Sequence, residues 1–426
     1  MLGNRACLCL WVCLAFVGPC STNGPGNERL PNEAELDRYG LVRAWSNRAV
    51  FNPARDTIRS ISADEQAVFV QSTGGTITAF DSETGRMMWS KLIGTPDQIN
   101  YPLATNDTTA FMAGGMHLFA IDKASGETLW QVRLPDHPSA PPEVDDRQIY
   151  VGTADGSVYA LDLAKTKDLY SRRLLPAYSE ATYRWRYQAP SEIVTPPVSN
   201  GEAVVFASYS GLLFSVAVQN RGLNFQFETE GRAPIRVPFG RSDDIVFVAS
   251  DDARVFALDI LSGVRKWSFT AGEAPRQQPR VVGRHVYVIP FGRGMYALRT
   301  QTGFQQWHQR EADSFLAATT NYIIASNNLG SVLILDRDSG ANLGTLPYRS
   351  FSQRVHNERT DRLYMATESG LVVCIREKGR DKPVWHKYPE RQPIPAELAP
   401  DEPAADAPAA DSAPAENPAP VDPAAM

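Results

Sequence analysis

The sequence predicts an all-β fold, an eight-bladed β-propeller of four-stranded antiparallel blades, and three observations predict it. A pattern of two short alternating strands recurs eight times, starting at Val68, Ala110, Ile149, Val204, Val246, Val286, Ile323 and Leu363. One alignment column falls at Asp81, Asp122, Asp162, Ala217, Asp259, Arg299, Asp336 and Arg376, with spacings of 41, 40, 55, 42, 40, 37 and 40 residues, which is the period of propeller blades. Eight residues beyond the column stand Trp89, Trp130, Tyr170, Phe225, Trp267, Trp307 and Gly344, and nine beyond Arg376 stands Trp385. Seven of these eight are aromatic, which marks a repeated packing position. Sheets recurring at this period bury both faces by stacking radially on one another.

The elements follow in chain order. The first twenty residues, MLGNRACLCLWVCLAFVGPC, place one Arg ahead of an apolar run from Ala6 to Val17 and then small residues. That run is about 12 residues long, against roughly 20 for a spanning helix, so it reads as a secretory signal peptide of an exported protein. Cys20, followed by Ser21, stands where a lipoprotein signal would be cut and lipidated, although Pro19 before it departs from that pattern. The alternative is a cysteine near an ordinary cleavage site. Residues 21–40, rich in Gly, Asn, Pro and charge, read as a flexible spacer.

Residues 41–390 form the propeller. Within each unit, strands such as 68–71 and 76–80 join through short turns carrying Gly74 and Gly75, Asp155 and Gly156, or Asn328 and Gly330. Four residues after the column, Gly85, Gly126, Gly263, Gly303 and Gly340 supply the positive φ of a second tight turn. The chain then enters the outer strand that bears the aromatic. A preceding strand such as 54–60 completes each sheet, and LVRAWSN from Leu41 adds an outer strand near the last blade, so that the two chain ends close the ring. The repeated aromatics read as wedges between neighbouring sheets rather than a ring of exposed binding sites.

The 55-residue spacing marks an insertion at about 174–197, where Tyr183, Trp185 and Tyr187 interleave with Arg184 and Arg186. Aromatics with Arg are what interface hot spots favour, and loops on a propeller rim carry binding functions. The competing reading is a loop packed on itself. From residue 391 the chain is a Pro/Ala-rich tail, with seven acids and no base from Ala396 to Met426. Such a composition buries too little to offset chain entropy and predicts disorder. Residues 1–395 then hold 42 basic against 41 acidic side chains, a net of +1. A near-neutral body argues against nucleic acid as partner.

Catalytic patterns are missing from the sequence. The six histidines, His117, His137, His285, His308, His356 and His386, show no HxH, HxxxH or HExxH spacing. The Gly pairs precede strands, not helices, so they are hairpin turns and not phosphate cradles. Cys374, the one cysteine after residue 20, alternates with apolar neighbours in LVVCI and reads as a buried structural thiol. A disulfide framework is excluded.

The segment IYVGTADGSVYALD from Ile149 is close to the PQQ-type propeller repeat, VYVGTxDGxxYALDxxTGxxxW, and the chain resembles proteins with PQQ-like repeats over about 41–390. This resemblance implies one of two classes: quinoprotein dehydrogenases, which hold PQQ and calcium, or non-enzymatic scaffolds such as the BamB family of outer-membrane assembly lipoproteins. The dehydrogenases carry an adjacent cysteine pair and often a CxxCH segment, and neither occurs after residue 20. The expectation is therefore a non-enzymatic, monomeric scaffold in the periplasm or cell envelope, with no cofactor, catalytic or metal residue and at most a lipid anchor in the membrane. A quinoprotein oxidoreductase, a small-ligand binder using the central channel, and a scaffold of another envelope complex are the alternatives. In the BamB-like scaffolds, a connector before a TTPV-like strand and acids in the next blade's hairpin dock the periplasmic domain of an outer-membrane barrel assembly protein. The matching residues here are Ser191, Glu192 and Ile193 in SEIVTPPV, with Asp251 and Asp252 in VASDDARVFAL.

Overall fold

Alternating apolar residues pair along each repeat into eight four-stranded antiparallel sheets in the computed structural model, which describes residues 29–392 except 95, 97 and 176–179. The signal segment, Cys20 and the acidic tail lie outside the described residues. Blade 1 comprises Ile58–Ala63, Ala67–Ser72, Thr76–Asp81 and Met87–Leu92, ordered from the central channel outward. Its first strand lies a few residues beyond the 54–60 expected. Blades 2 to 7 repeat the order, with innermost strands at Ala104–Thr105, Glu143–Val144, Val198–Ser199, Gly240–Ser242, Arg280–Val282 and Ser314–Ala318. Eight apolar clusters hold the ring, each built from two neighbouring blades. One, for example, joins Phe69, Ala79 and Trp89 of blade 1 to Ala110, Met112 and Ile121 of blade 2.

A size rule repeats at the outer strand. Its register shifts by one residue at the same place in all eight blades, a β-bulge that re-aims one side chain. Opposite each large side chain there stands a small one: Trp89 faces Ala79, Trp130 Ala120, Trp185 Ala160, Phe225 Ser215, Trp267 Ala257, Trp307 Ala297 and Trp45 Cys374. Blade 7 inverts the pair, with Gly344 opposite Ile334. Side chains of an opposed pair share a sheet face, so large with small keeps the interface volume constant. The missing bulk at Gly344 is supplied by Tyr39, whose ring an added Cβ would meet at 2.2 Å.

Five of the wedges grip the next blade through a hydrogen bond. The indole nitrogens of Trp45, Trp89, Trp185 and Trp267 donate to the carbonyls of Ser82, Lys123, Val218 and Thr300 at 2.8 Å, and Trp307 to Arg337 at 3.1 Å. The tight-turn glycines let these rings approach. A Cβ on Gly126, at φ +70°, would lie 2.4 Å from the Trp89 ring, whereas Gly201, at φ +88°, faces open space. Gly201→Ala is expected to cost about 1 kcal/mol from backbone strain alone, and Gly126→Ala distinctly more, as urea unfolding of the two variants would show.

Two of the seven expected aromatics are placed elsewhere. Tyr170 is 44% exposed and belongs to a helix, Leu163–Ser171, that replaces the tight turn in blade 3. The wedge there is Trp185, on the outer strand Tyr183–Gln188. The extra residues of the long spacing therefore enter before that strand, and 183–188 is blade structure rather than an inserted loop. Trp385 is half-buried and bridges Thr360, because the outer strand of blade 8 comes from the other chain end. Leu41–Arg48 pairs antiparallel with Leu371–Glu377, and Trp45 takes the wedge position. The closure is reinforced by Arg362, fully buried, which donates to Glu83 of blade 1 at 2.8 Å and to Asp361 at 3.1 Å. Residues 29–40, expected as spacer, contain a helix, Glu33–Asp37, capped by Asn32 and anchored by the fully buried Leu36.

The column aspartates organise the turn rather than any chemistry. Asp81, Asp122, Asp259 and Asp336 accept hydrogen bonds from the backbone N–H three residues on, at 2.8–2.9 Å. The bonds from Ser125, Ser262 and Ser339 hold the carboxyls of Asp122, Asp259 and Asp336 below their ordinary value of 3.8. Depressed carboxyls stabilise the fold above that value, and the contribution fades as pH falls below it. The triple Asn variant should be less stable than the parent at pH 6, with the gap narrowing below pH 3.8 in urea titrations.

The propeller unit ends at Lys387. The unit from Tyr388 onward is described to Gln392 and holds a 3₁₀ turn, Pro389–Arg391, with the Arg391 guanidinium 5.2 Å from the Tyr388 ring.

Candidate docking rim

The connectors that enter blades 2, 3, 4 and 6 bond to the hairpin between the second and third strands of their blade. The bridges Asn100 to Gly114, Pro138 to Thr153, Ile193 to Ser208 and Pro275 to Pro290 record this in four blades. These connectors and hairpins make one rim of the ring, and the column turns make the other.

On the first rim the structure brings two separated sequence candidates into one chain of contacts. Glu192, exposed on the connector from blade 3 to blade 4, accepts the Tyr209 N–H on its carbonyl at 2.9 Å, and Ser191 Oγ accepts the Ser210 N–H at 3.1 Å. Tyr209 is 44% exposed at the tip of the blade 4 hairpin. Over its ring, at 5.2 Å, sits the Arg236 guanidinium from the next connector. Arg236 Nε in turn donates to Asp251 at 2.7 Å, and the Asp251 N–H reaches the Pro234 carbonyl at 3.0 Å. Asp252 faces inward along its own hairpin, accepting from the Ser250 hydroxyl and from the Arg254 N–H. Arg254 pairs with Glu230, and Arg232 with Glu228. The surface spanning blades 3 to 5 is thus an aromatic centre ringed by paired charges, the composition that protein interfaces favour.

Sequence reasoning missed Tyr209 and Arg236. The signal was present for Tyr209, since SYSG puts a Tyr in a hairpin where blades 3, 5, 7 and 8 carry Ala154, Asp251, Asn328 and Glu368. Three expected docking residues serve the fold instead. Trp185 is a buried wedge, Ile193 is fully buried against Gly152, and the Tyr187 ring packs 5.3 Å from Phe206. The Tyr183 ring packs tilted against Tyr159 at 5.1 Å. Arg184 and Arg186 remain exposed on the outer strand, where they pair with Asp162 and Asp155. Burial pushes Asp155 upward, but hydrogen bonds from Thr153 and Ser157 and the charge of Arg186 outweigh it and hold the carboxyl low.

The central channel supplies the rival site. At the end nearer the column turns, Glu358 faces Lys387 at 3.4 Å and Arg280 at 3.8 Å, and Arg359 pairs with Glu65 at 3.1 Å. Desolvation raises the Glu143 carboxyl against the pull of Lys387, Arg359 and Arg241. Every carboxylate of this set faces a cation, so the donor set does not fit a calcium-held quinone. Among the described residues no group of three or more His, Cys, Asp and Glu is arranged to hold a metal. Cys374 is fully buried, and desolvation drives its thiol far above the ordinary range, so it is no nucleophile. No helix among the described residues is long and apolar enough to cross a membrane.

The eight-bladed ring and its bulge-and-wedge repeat define a PQQ-like β-propeller. Within that class the chain resembles the outer membrane protein assembly factor BamB, whose family model matches residues 73–174 and 226–329. A BamB of Moranella endobia is 20% identical over 268 residues, 57% of this chain and 64% of that protein. The quinoprotein glucose dehydrogenase of Escherichia coli is 28% identical over 167 residues, 34% of this chain and 21% of the enzyme. The chain thus spans less than two thirds of either relative's length. The crystal structure of BamB from Moraxella catarrhalis superposes with a TM-score of 0.61 at 15% identity, over 80% of this chain and 98% of that one, which shows a shared fold.

Proposed function

We propose that the protein is a non-catalytic scaffold of the bacterial cell envelope that works in outer-membrane protein assembly and docks a protein partner on the rim of blades 3 to 5. The observation that carries this reading is the continuous contact chain Glu192, Tyr209, Arg236, Asp251, which places an exposed aromatic among charges across three blades. The partner that fits is the periplasmic domain of an outer-membrane barrel assembly protein. The export signal read in the sequence and the likeness to BamB support the compartment. Crosslinking pull-down from the native envelope, with mass spectrometry of both sides, tests it: crosslinks from 191–198, 209 or 251 to such a domain are expected. If the protein came down alone, the scaffold reading would fail. The match to a quinoprotein dehydrogenase makes an oxidoreductase the second reading, and dye reduction with alcohols or sugars after adding PQQ and calcium would establish it instead.

A further inference from the structure

We propose that a second site, in the cavity between blades 7 and 8 on the same rim, binds a small ligand through an oxyanion group, a carboxylate or a phosphate, with an apolar portion beside it. The cavity measures about 520 Å³ and is lined by Ser314, Asn328, Leu329, Arg349, Ser352 and Arg354. That size suits a small molecule.

Its two arginines differ from several others on this rim. Arg232, Arg236, Arg254 and Arg293 each pair with an Asp or Glu. Arg349 and Arg354 meet no carboxylate among the described residues. Arg354 donates its Nε to the Phe351 carbonyl at 2.7 Å and its Nη2 to the carbonyls of Tyr348, at 3.1 Å, and Gly330. Carbonyl dipoles position a guanidinium without neutralising it, and Arg354 is partly buried, so its charge is poorly screened. Arg349 directs Nε to Ser331 Oγ at 3.2 Å, which leaves both terminal nitrogens without a hydrogen-bond partner among the described residues. Both side chains therefore bracket one turn. That turn is rigid: Asn327 Oδ1 accepts the N–H groups of Leu329 and Ser331, and its carbonyl accepts that of Gly330.

Two guanidiniums with spare donors, flanked by the Ser352 hydroxyl, favour an oxyanion through charge-assisted hydrogen bonds. Leu329, 62% exposed at the edge, gives the apolar contact. His356, on the wall toward the channel, adds no charge at neutral pH, since desolvation and then Arg280 push it down to about 4. The site lies on the side of the ring opposite blades 3 to 5, so ligand and docked partner do not compete for the same surface.

Isothermal titration of the full chain with inorganic phosphate, N-acetyl-L-leucine and N-acetyl-L-leucine amide tests this. Phosphate or acetyl-leucine should bind, and the amide should bind at least about 10-fold more weakly than the acid. Arg349→Gln, at an exposed position, should keep the thermal midpoint and weaken the acid by about 10-fold, and Arg354→Lys should weaken it through loss of the fork. Tighter binding of phosphate identifies a phosphorylated ligand, and tighter binding of acetyl-leucine a carboxylate. The proposal is overturned if none of the three binds, if acid and amide bind alike, or if a folded Arg349→Gln binds as the parent does.

Discussion

Asp251→Arg should abolish capture of the partner, lowering crosslinks from the docking rim by about 30-fold, the equivalent of a hot-spot loss of about 2 kcal/mol. Stability should change by less than about 1 kcal/mol, because the Arg236 to Asp251 pair is 49% and 27% exposed and such pairs contribute little to folding. Tyr209→Ala should act like it, since an exposed aromatic at the centre of the patch loses its contact area without opening the core. The swap Arg236→Asp with Asp251→Arg rebuilds the internal pair with its polarity reversed. Capture should remain lost, which separates a partner that reads charge from one that needs only an ordered hairpin. Intact crosslinks in both Asp251→Arg and Tyr209→Ala would rule out this rim as the docking surface.

Trp45→Ala should lower the unfolding free energy by about 3–5 kcal/mol, the cost of removing a large buried aromatic. Trp45 is 7% exposed, lies 6.1 Å from the rings of both Phe80 and Tyr364, and binds the Ser82 carbonyl at 2.8 Å. Trp89→Ala removes an equivalent wedge within the ring and should cost a similar amount. The two variants should part in limited proteolysis, because only Trp45 also fixes the strand that closes the ring. Cleavage near residues 48–55 is expected early in Trp45→Ala and late in Trp89→Ala. Identical cleavage kinetics would show that closure does not depend on this side chain.

The fold was legible because stacking requires each unit to repeat its apolar alternation and its wedge at one period. The errors came where another segment met the same need. Tyr170 stood in the expected column, yet Asp162 accepts the Lys165 N–H and caps a helix there, so the wedge moved to Trp185. At blade 4, Arg221 adopts φ +64° in the turn position that glycine occupies elsewhere. At blade 7, no local pattern tells that Tyr39, some 300 residues away, fills the space above Gly344. The candidate rim was half legible. Asp251 and Glu192 were marked by the family resemblance, whereas Arg236 sits in an unremarkable connector and gains its meaning from the hairpins on either side. Ile193 was misjudged because a connector that bridges two blades buries alternate residues as a strand does.

The pairing of Leu41–Arg48 with Leu371–Glu377 also sets an order of events. One partner emerges some 320 residues before the other, so it must wait, unpaired, while seven blades assemble. Long-range pairing of this kind is slow to form. Until it forms, the edge of Leu371–Glu377 offers free N–H and C=O groups to any passing strand, including the same segment of another copy. A chain caught at that stage would exchange its first strand with a neighbour and become a linked pair of rings, closed in every blade yet joined at the clasp.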